Sequence, residues 1–196
     1  FRIYKYPMFA LSSAISIVVS MSMFSAMILM PIYVQTIKGI SPIDSGLLML
    51  PGALLMGVMS PITGKLFDKY GAKVLAITGM SIVVISTYFF SDLSMETTYL
   101  QIMGIYTIRM FGISMVMMPV MTNGLNTLPM KAYPHGTAMN NTLQQVSGAI
   151  GSALLITIMN TRTTSAAKDM ALSGADPASI LKSSMLEGIN YTFFIS

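Results

Sequence analysis

The stretch Gly64-Lys65-Leu66-Phe67-Asp68-Lys69-Tyr70-Gly71-Ala72-Lys73 puts four charged residues into ten positions, between two long apolar runs at residues 43–66 and 74–90. Each flanking run comes close to the ~20 apolar residues that a membrane-spanning helix needs. The charges cannot follow them into lipid, where a Lys or Asp costs about 2.5–3.5 kcal/mol on insertion scales. Two glycines permit a tight turn. The simplest reading is a hairpin of two membrane helices joined by a basic loop, and the remaining sequence has to fit that reading.

Composition agrees with it. The chain has 196 residues, 54% hydrophobic and 9% charged, with a mean hydropathy of +0.70. Soluble domains carry roughly 25% charged residues. The net charge of +4 does not indicate a nucleic-acid partner, because so few charges cannot build a basic stripe on a solvated surface. With no cysteine, disulfide frameworks and cysteine nucleophiles are excluded. A single histidine excludes a multi-histidine zinc site, and no metal site is expected. The spans show no nucleophile–base pair and no carboxylate pair, so the chain is not read as an enzyme.

Apolar runs predict spans at residues 8–35, 43–66, 74–90, 99–128 and 137–160, with a sixth beginning at 189–196. The first is too long for a signal peptide. Because the chain starts at Phe1 and stops inside a fresh apolar run, it reads as a segment of a longer protein. Ser41-Pro42-Ile43-Asp44 reads as an N-cap, a proline at the first helical position and an acid three residues after the cap. Asp44 is therefore a helix-start residue. Pro134-His135-Gly136 reads as a loop before the fifth span, with His135 solvated.

The charges sort by side. Arg2, Lys5, Lys65, Lys69, Lys73 and Lys131 share one side with Asp68, for a net +5. Lys38, Arg162, Lys168 and Lys182 share the other with Asp44, Asp92, Glu96, Asp169, Asp176 and Glu187, for a net −2. The positive side is expected to be cytoplasmic, and with it the N-terminal end. Residues 161–188, polar and rich in Ser and Ala, are then an external loop with room for a short surface helix.

Arg109 is the one charge deep inside a span, flanked by Ile108 and Met110. A guanidinium at that depth has to face a cavity or a partner. Two readings stay open: a pathway group in a central cavity, or an Arg bonded to carbonyls and polar neighbours that fixes helix packing. In the fifth span, Gln144, Gly148 and Ser152 fall at i, i+4 and i+8 and share a face. With Asn140, Gln145 and Gly151 they form either a polar lining or a packing seam. Of 21 methionines, Met115, Met117, Met118 and Met121 cluster in the fourth span, as adaptable pocket lining or as filler. Phe24, Tyr33 and Tyr106 are candidates for contact with a cationic substrate. Tyr33 and Tyr99 equally suit interfacial anchoring.

The residues 64–73 resemble the cytoplasmic loop signature of the major facilitator superfamily, G-x-L-x-D-[RK]-x-G-[RK]-[RK]. Gly64, Leu66, Asp68, Lys69, Gly71 and Lys73 match, and Ala72 stands where a basic residue is usual. The run from Asn140-Asn141-Thr142-Leu143-Gln144-Gln145 to Ser147-Gly148-Ala149-Ile150-Gly151-Ser152 is similar to the C-terminal half of EmrB/QacA-type drug:proton antiporters. These form the 14-span branch, and the likeness is greatest to lincomycin-efflux-like members. Asn123-Gly124-Leu125-Asn126, Tyr133-Pro134-His135-Gly136 and the stretch from Ser41-Pro42 to Pro51-Gly52 fit the same half. Arg109-Met110-Phe111-Gly112 matches the family's R-x-x-Q-G only loosely: the Gln is missing and the glycine comes one residue early.

The resemblance implies an all-α integral membrane protein, and specifically most of one six-helix half: five full transmembrane helices plus the start of a sixth. It implies a secondary active transporter in the plasma membrane, exporting amphipathic or cationic small molecules by alternating access. The proton gradient is the energy source and no cofactor is expected. The partners are the missing N-terminal half, the bilayer and the substrate. Within it, Arg109, Tyr106, Met115, Asn140, Gln144 and Gln145 are expected at the central cavity. Gly64, Asp68, Lys69, Gly71 and Lys73 form the gating loop, where Asp68 latches a helix end. Gly112, Gly148, Gly151 and Ser152 serve helix packing. Export of a lipid or endogenous metabolite, and a non-transporting scaffold, are the other readings.

Overall fold

The computed structural model describes residues 2–172 and 177–196. Among these residues the backbone is almost entirely helical and holds no strand. The helices are α1 (Pro7–Ile32), α2 (Pro42–Phe90), α3 (Tyr99–Leu125), α4 (Tyr133–Leu172) and α5 (Pro177–Ile195). One π turn, Tyr33–Ile37, extends α1, and short 3-10 turns lie at Arg2–Lys5 and Met130–Ala132. Four of these helices are long and apolar enough to cross a membrane, those beginning at Pro7, Pro42, Tyr99 and Met130.

α2 cannot be a single crossing. Its 49 residues would make a rod of about 73 Å at 1.5 Å per residue, against a hydrocarbon core of ~30 Å. The rod is broken at Gly71, whose φ of 75° and ψ of 165° are non-helical. That region of backbone space is essentially reserved for glycine. Helix geometry thus runs on both sides of one residue, and the two limbs of α2 are two spans.

Neighbour contacts give the direction of each limb. Gly52 lies against Tyr106 and Met110, and Gly64 against Met118, so the first limb runs parallel to α3. Gly79 lies against Met115 and Val116, whereas Thr87 bonds Arg109, so the second limb runs antiparallel to α3. Ser12 meets Gly124 and Ser22 meets Arg109, which makes α1 antiparallel to α3 as well. Phe9 lies by Gly136, Phe24 by Gly148 and Met21 by Gly151, so α4 runs with α1. α5 starts a few residues after α4 ends, and Gly188 lies against Met159 and Thr163, so α5 returns along α4. Six segments therefore alternate in direction, as a six-helix half requires.

Glycines let the helices come this close. A Cβ at Gly79 would lie 2.7 Å from the Gly112 carbonyl oxygen, and one at Gly112 would lie 2.9 Å from the Gly79 carbonyl oxygen. Lipid tails are as apolar as leucine, so van der Waals fit between small residues, not escape from water, holds such helices together. The main apolar cluster joins Tyr33, Phe90, Leu93, Ile102, Ile189 and Phe193 at the end away from Gly71. A smaller cluster of Phe9, Leu125 and Leu128 sits at the other end.

Three sequence-based boundaries shift. The expected loop at 67–73 is helical up to Gly71, because one glycine suffices for the reversal and Leu66 and Phe67 remain half-buried. Pro134-His135-Gly136 is not a loop: α4 begins at Tyr133, and proline is well suited to a helix's first turn. The expected external loop at 161–188 is instead helical on both sides of a short gap. α4 runs on to Leu172 and α5 starts at Pro177, since Ala, Lys, Met and Leu at 166–172 are good helix formers. Residues 173–176, with Asp176, lie outside the described residues. At Ser41 the cap is as read: its Oγ accepts from the Asp44 backbone N–H at 3.2 Å and donates to the Asp44 carboxylate at 2.8 Å.

The reversal gives a direct test. In the full-length protein Gly71→Ala is expected to destabilise on the order of 1–3 kcal/mol, the usual cost of such a backbone conformation for a residue with a Cβ. Ala72→Gly, one residue on, should cost no more than about 1 kcal/mol, the ordinary helix penalty of glycine. Thermal unfolding in detergent checks both, and equal effects would remove Gly71 as the turning point.

Candidate functional site

Arg109 is wholly buried. It projects from α3 into the angle between α1 and the second limb of α2. Its Nη1 donates to Thr87 Oγ1. Nη2 donates to the Ser22 carbonyl oxygen at 3.0 Å and to Ser22 Oγ at 2.7 Å. Thr87 Oγ1 in turn donates to the Val83 carbonyl at 2.7 Å, which fixes its rotamer. The guanidinium carbon stands 5.9 Å from the Phe90 ring centre, within cation–π range. Nε has no hydrogen-bond partner among the described residues, and the ion pair described for this chain, Arg162–Glu187, is elsewhere. The charge is thus solvated by two hydroxyls, a carbonyl and an aromatic face.

The side chain bonds to α1 and to the second limb of α2, so it links three helices of the same half. Tyr106, one turn earlier, is also buried and packs its ring on Gly52. Met115 is half-buried, with its Cβ 3.0 Å from where a Gly79 Cβ would stand.

The polar residues of α4 are not at the Arg109 site. α1 stands between, with Ser12 and Ser22 turned to α3, and Met21 and Phe24 turned to α4. Asn140 is buried, and its Nδ2 has no partner among the described residues. Gln144 is half-buried and Gln145 exposed, neither with a described hydrogen bond. Gly148 and Gly151 receive Phe24 and Met21, and Ser152 Oγ donates to the Gly148 carbonyl at 2.7 Å. Gly112 belongs to the other seam, against Gly79.

The residues of the 64–73 stretch stay together at the Gly71 end of the bundle. Asp68, Lys69, Gly71 and Lys73 are exposed and Gly64 is half-buried against Met118. Lys69 Nζ lies 5.1 Å from the Tyr70 ring centre. Asp68 makes no ion pair among the described residues.

Ser22 and Thr87 carry no sequence signal of their own, since hydroxyls are common in membrane helices. The usable signal is Arg109 itself, because a buried guanidinium demands acceptors from the neighbouring spans. The sequence also concealed how the loop 91–98 is held. Tyr33 Oη donates to the Ser94 carbonyl at 2.7 Å, Lys38 Nζ to the Met95 carbonyl at 2.6 Å, and Asn190 Nδ2 to the Leu93 carbonyl at 2.8 Å. Tyr99 Oη reaches the Asp44 carbonyl at 2.9 Å.

The six alternating segments and the glycine turn can now be set beside known proteins. The model of the Major Facilitator Superfamily matches residues 2–152. The chain is 50% identical over 179 residues to an uncharacterized MFS-type transporter, YhcA, of Bacillus subtilis, covering 90% of this chain and 34% of that protein. It is 49% identical over 159 residues to the lincomycin resistance protein LmrB of Listeria innocua, covering 81% and 34%. It is 28% identical over 162 residues to the multidrug transporter protein MdtP of B. subtilis, covering 82% and 30%. The chain spans about a third of the length of these relatives. With a family model over most of its length and a helical bundle of matching design, the chain belongs to the major facilitator superfamily.

Proposed function

We propose that the complete protein carrying this segment is a secondary active exporter of amphipathic or cationic small molecules, driven by the proton gradient across the plasma membrane. The observation that carries the reading is the 49% identity, over four-fifths of the chain, to a protein named for lincomycin resistance. The segment supplies one half of the transporter, and the other half is its partner. Substrate sites in transporters built of repeats lie at the repeat interface near the membrane midplane.

The residues divide accordingly. Gln144 and Gln145 keep their amides open, which suits a face turned to the other half and the substrate path; Asn140, against α1, borders that path. Arg109 acts as a positioning residue that makes α1, α2 and α3 move as one body, with Tyr106 and Met115 on the same helix. The stretch with Gly64, Asp68, Lys69, Gly71 and Lys73 is the gating loop, on the cytoplasmic side together with the N-terminal end. No described carboxylate pairs with Arg109, which supports a proton carrier located on the other half.

Three measurements test this. In cells expressing the full-length protein, a protonophore should stop efflux; efflux that persists after the gradient has collapsed removes antiport. Expressed alone, the segment should insert without transporting, and substrate efflux by the segment alone would contradict a site between halves. For Arg109, Thr87→Val and Ser22→Ala should each destabilise the full-length protein by about 1–3 kcal/mol, because a buried donor loses its acceptor. Arg109→Lys should fail to restore efflux lost in Arg109→Ala, since one ammonium cannot reproduce the fork that reaches two helices. Normal efflux and stability in Arg109→Ala would remove the residue from both roles.

A further inference from the structure

The second limb of α2 and α3 diverge at the end of the bundle away from Gly71, leaving a groove of about 540 Å³. Its walls are apolar, with Ile85, Phe89 and Ile108 all more than half exposed. Its upper rim is polar, with Asp92 and Gln101. The volume lies within the ~300–1,000 Å³ typical of pockets for drug-sized ligands. Gly104 forms part of the floor, and nothing stands within 4 Å of where its Cβ would be. The groove therefore owes some of its depth to a missing side chain.

We infer that this groove is a binding site for amphipathic organic cations, with the apolar body against Ile85, Phe89 and Ile108 and the charge beneath Asp92. The inference rests on the exporter reading and names a station for its substrate. Charge complementarity carries it. Asp92 is exposed and its carboxylate has no hydrogen bond or ion pair among the described residues. Glu96 lies four residues on in the same loop, also exposed. α2 ends at Phe90, and the negative end of its dipole points to the same rim. Lys38 does not line the groove; its Nζ is held by the Met95 carbonyl.

The rim is also fixed in advance. The carbonyls of the three residues that follow Asp92 are clamped by side chains from elsewhere in the fold, Leu93 by Asn190, Ser94 by Tyr33 and Met95 by Lys38. Leu93 is buried in the main apolar cluster. A carboxylate on a loop held this way loses little freedom when a cation arrives, which favours binding. The open side of the groove is apolar, so a ligand partitioned in the membrane can reach it without crossing the polar end of the bundle.

The test uses the full-length protein in phosphatidylcholine nanodiscs with tetraphenylphosphonium as the probe cation and Nile red as a neutral amphiphile, binding being read by calorimetry and fluorescence. Asp92→Asn should weaken tetraphenylphosphonium by about three- to fivefold, the range of a partly exposed charge pair, and leave Nile red unchanged. Asp92→Glu should restore the cation. Gly104→Leu should weaken both probes, because the side chain fills the floor, while the melting temperature without ligand stays that of the parent. Wild-type affinity for tetraphenylphosphonium in Asp92→Asn and Gly104→Leu, or no binding by the parent protein, would overturn the site. Transport in proteoliposomes separates the two ideas. Binding with the expected variant pattern but no efflux would keep the site and remove the exporter reading. Efflux that neither variant alters would do the reverse.

Discussion

A permanent positive charge enclosed among membrane helices is the constraint around which this bundle is arranged. Arg109 carries its charge as guanidinium groups in proteins do, and it cannot reach water. It has to be solvated by protein, and the acceptors must sit where its fork points. Ser22 and Thr87 meet that need from two different helices. Each bond fixes one helix against α3, so the guanidinium sets both the spacing and the rotation of α1 and of the second limb of α2. Apolar side chains could fill the same volume, but they would tolerate a range of rotations. Unsatisfied donors in a low-dielectric interior do not.

The same reasoning accounts for the two unlike faces of α1. Towards α3 it offers Ser12 and Ser22, a small residue against Gly124 and an acceptor for Arg109. Towards α4 it offers Met21 and Phe24, large side chains seated on Gly151 and Gly148. One seam is held by directional bonds and the other by shape. A shape seam can slide by small steps, whereas a hydrogen-bonded one changes only by breaking bonds. Asn140 is buried in α4 with an amide nitrogen that has no partner among the described residues.

How much of this could be read beforehand follows from the same physics. Helical membrane fold, number of segments and alternating direction were legible, because spanning length and charge exclusion are set by the bilayer and written directly into composition. The turn at Gly71 was legible in kind, as a glycine in a charged break, but not its economy, since only the backbone dihedrals reveal that one residue suffices. The polar stretch 161–188 reads as a loop with room for a short helix, whereas helix covers 161–172 and 177–188: low hydropathy reports where lipid ends, not where hydrogen bonding along the backbone ends. For Arg109 the sequence identified the residue but not its partners. These stand opposite at long sequence separation, 87 residues away for Ser22 and 22 for Thr87, and no local pattern encodes them. The groove beneath Asp92 was invisible for the same reason: Gly104 and Ile85 become neighbours only once α3 lies against α2.

The two ends of the bundle differ in a way that ties these points together. At the Gly71 end the chain reverses on one glycine, its charged residues are exposed, and the apolar cluster is small. At the opposite end, Tyr33 and Phe90 pack with Phe193, whose ring centre lies 5.1 Å from that of Phe90. Three side-chain clamps, from Tyr33, Lys38 and Asn190, fix the 91–98 loop above them. Phe90 also provides the aromatic face beneath the Arg109 guanidinium, so the aromatic cluster and the buried cation share a residue. The solvation of Arg109, the order of the loop and the position of Asp92 are therefore consecutive links of one packed unit: guanidinium to Phe90, Phe90 to the end of α2, and the end of α2 to the carboxylate two residues beyond it. A cation held at Asp92 would rest at the end of the bundle where directional bonds and ring packing coincide, not at the charged turn.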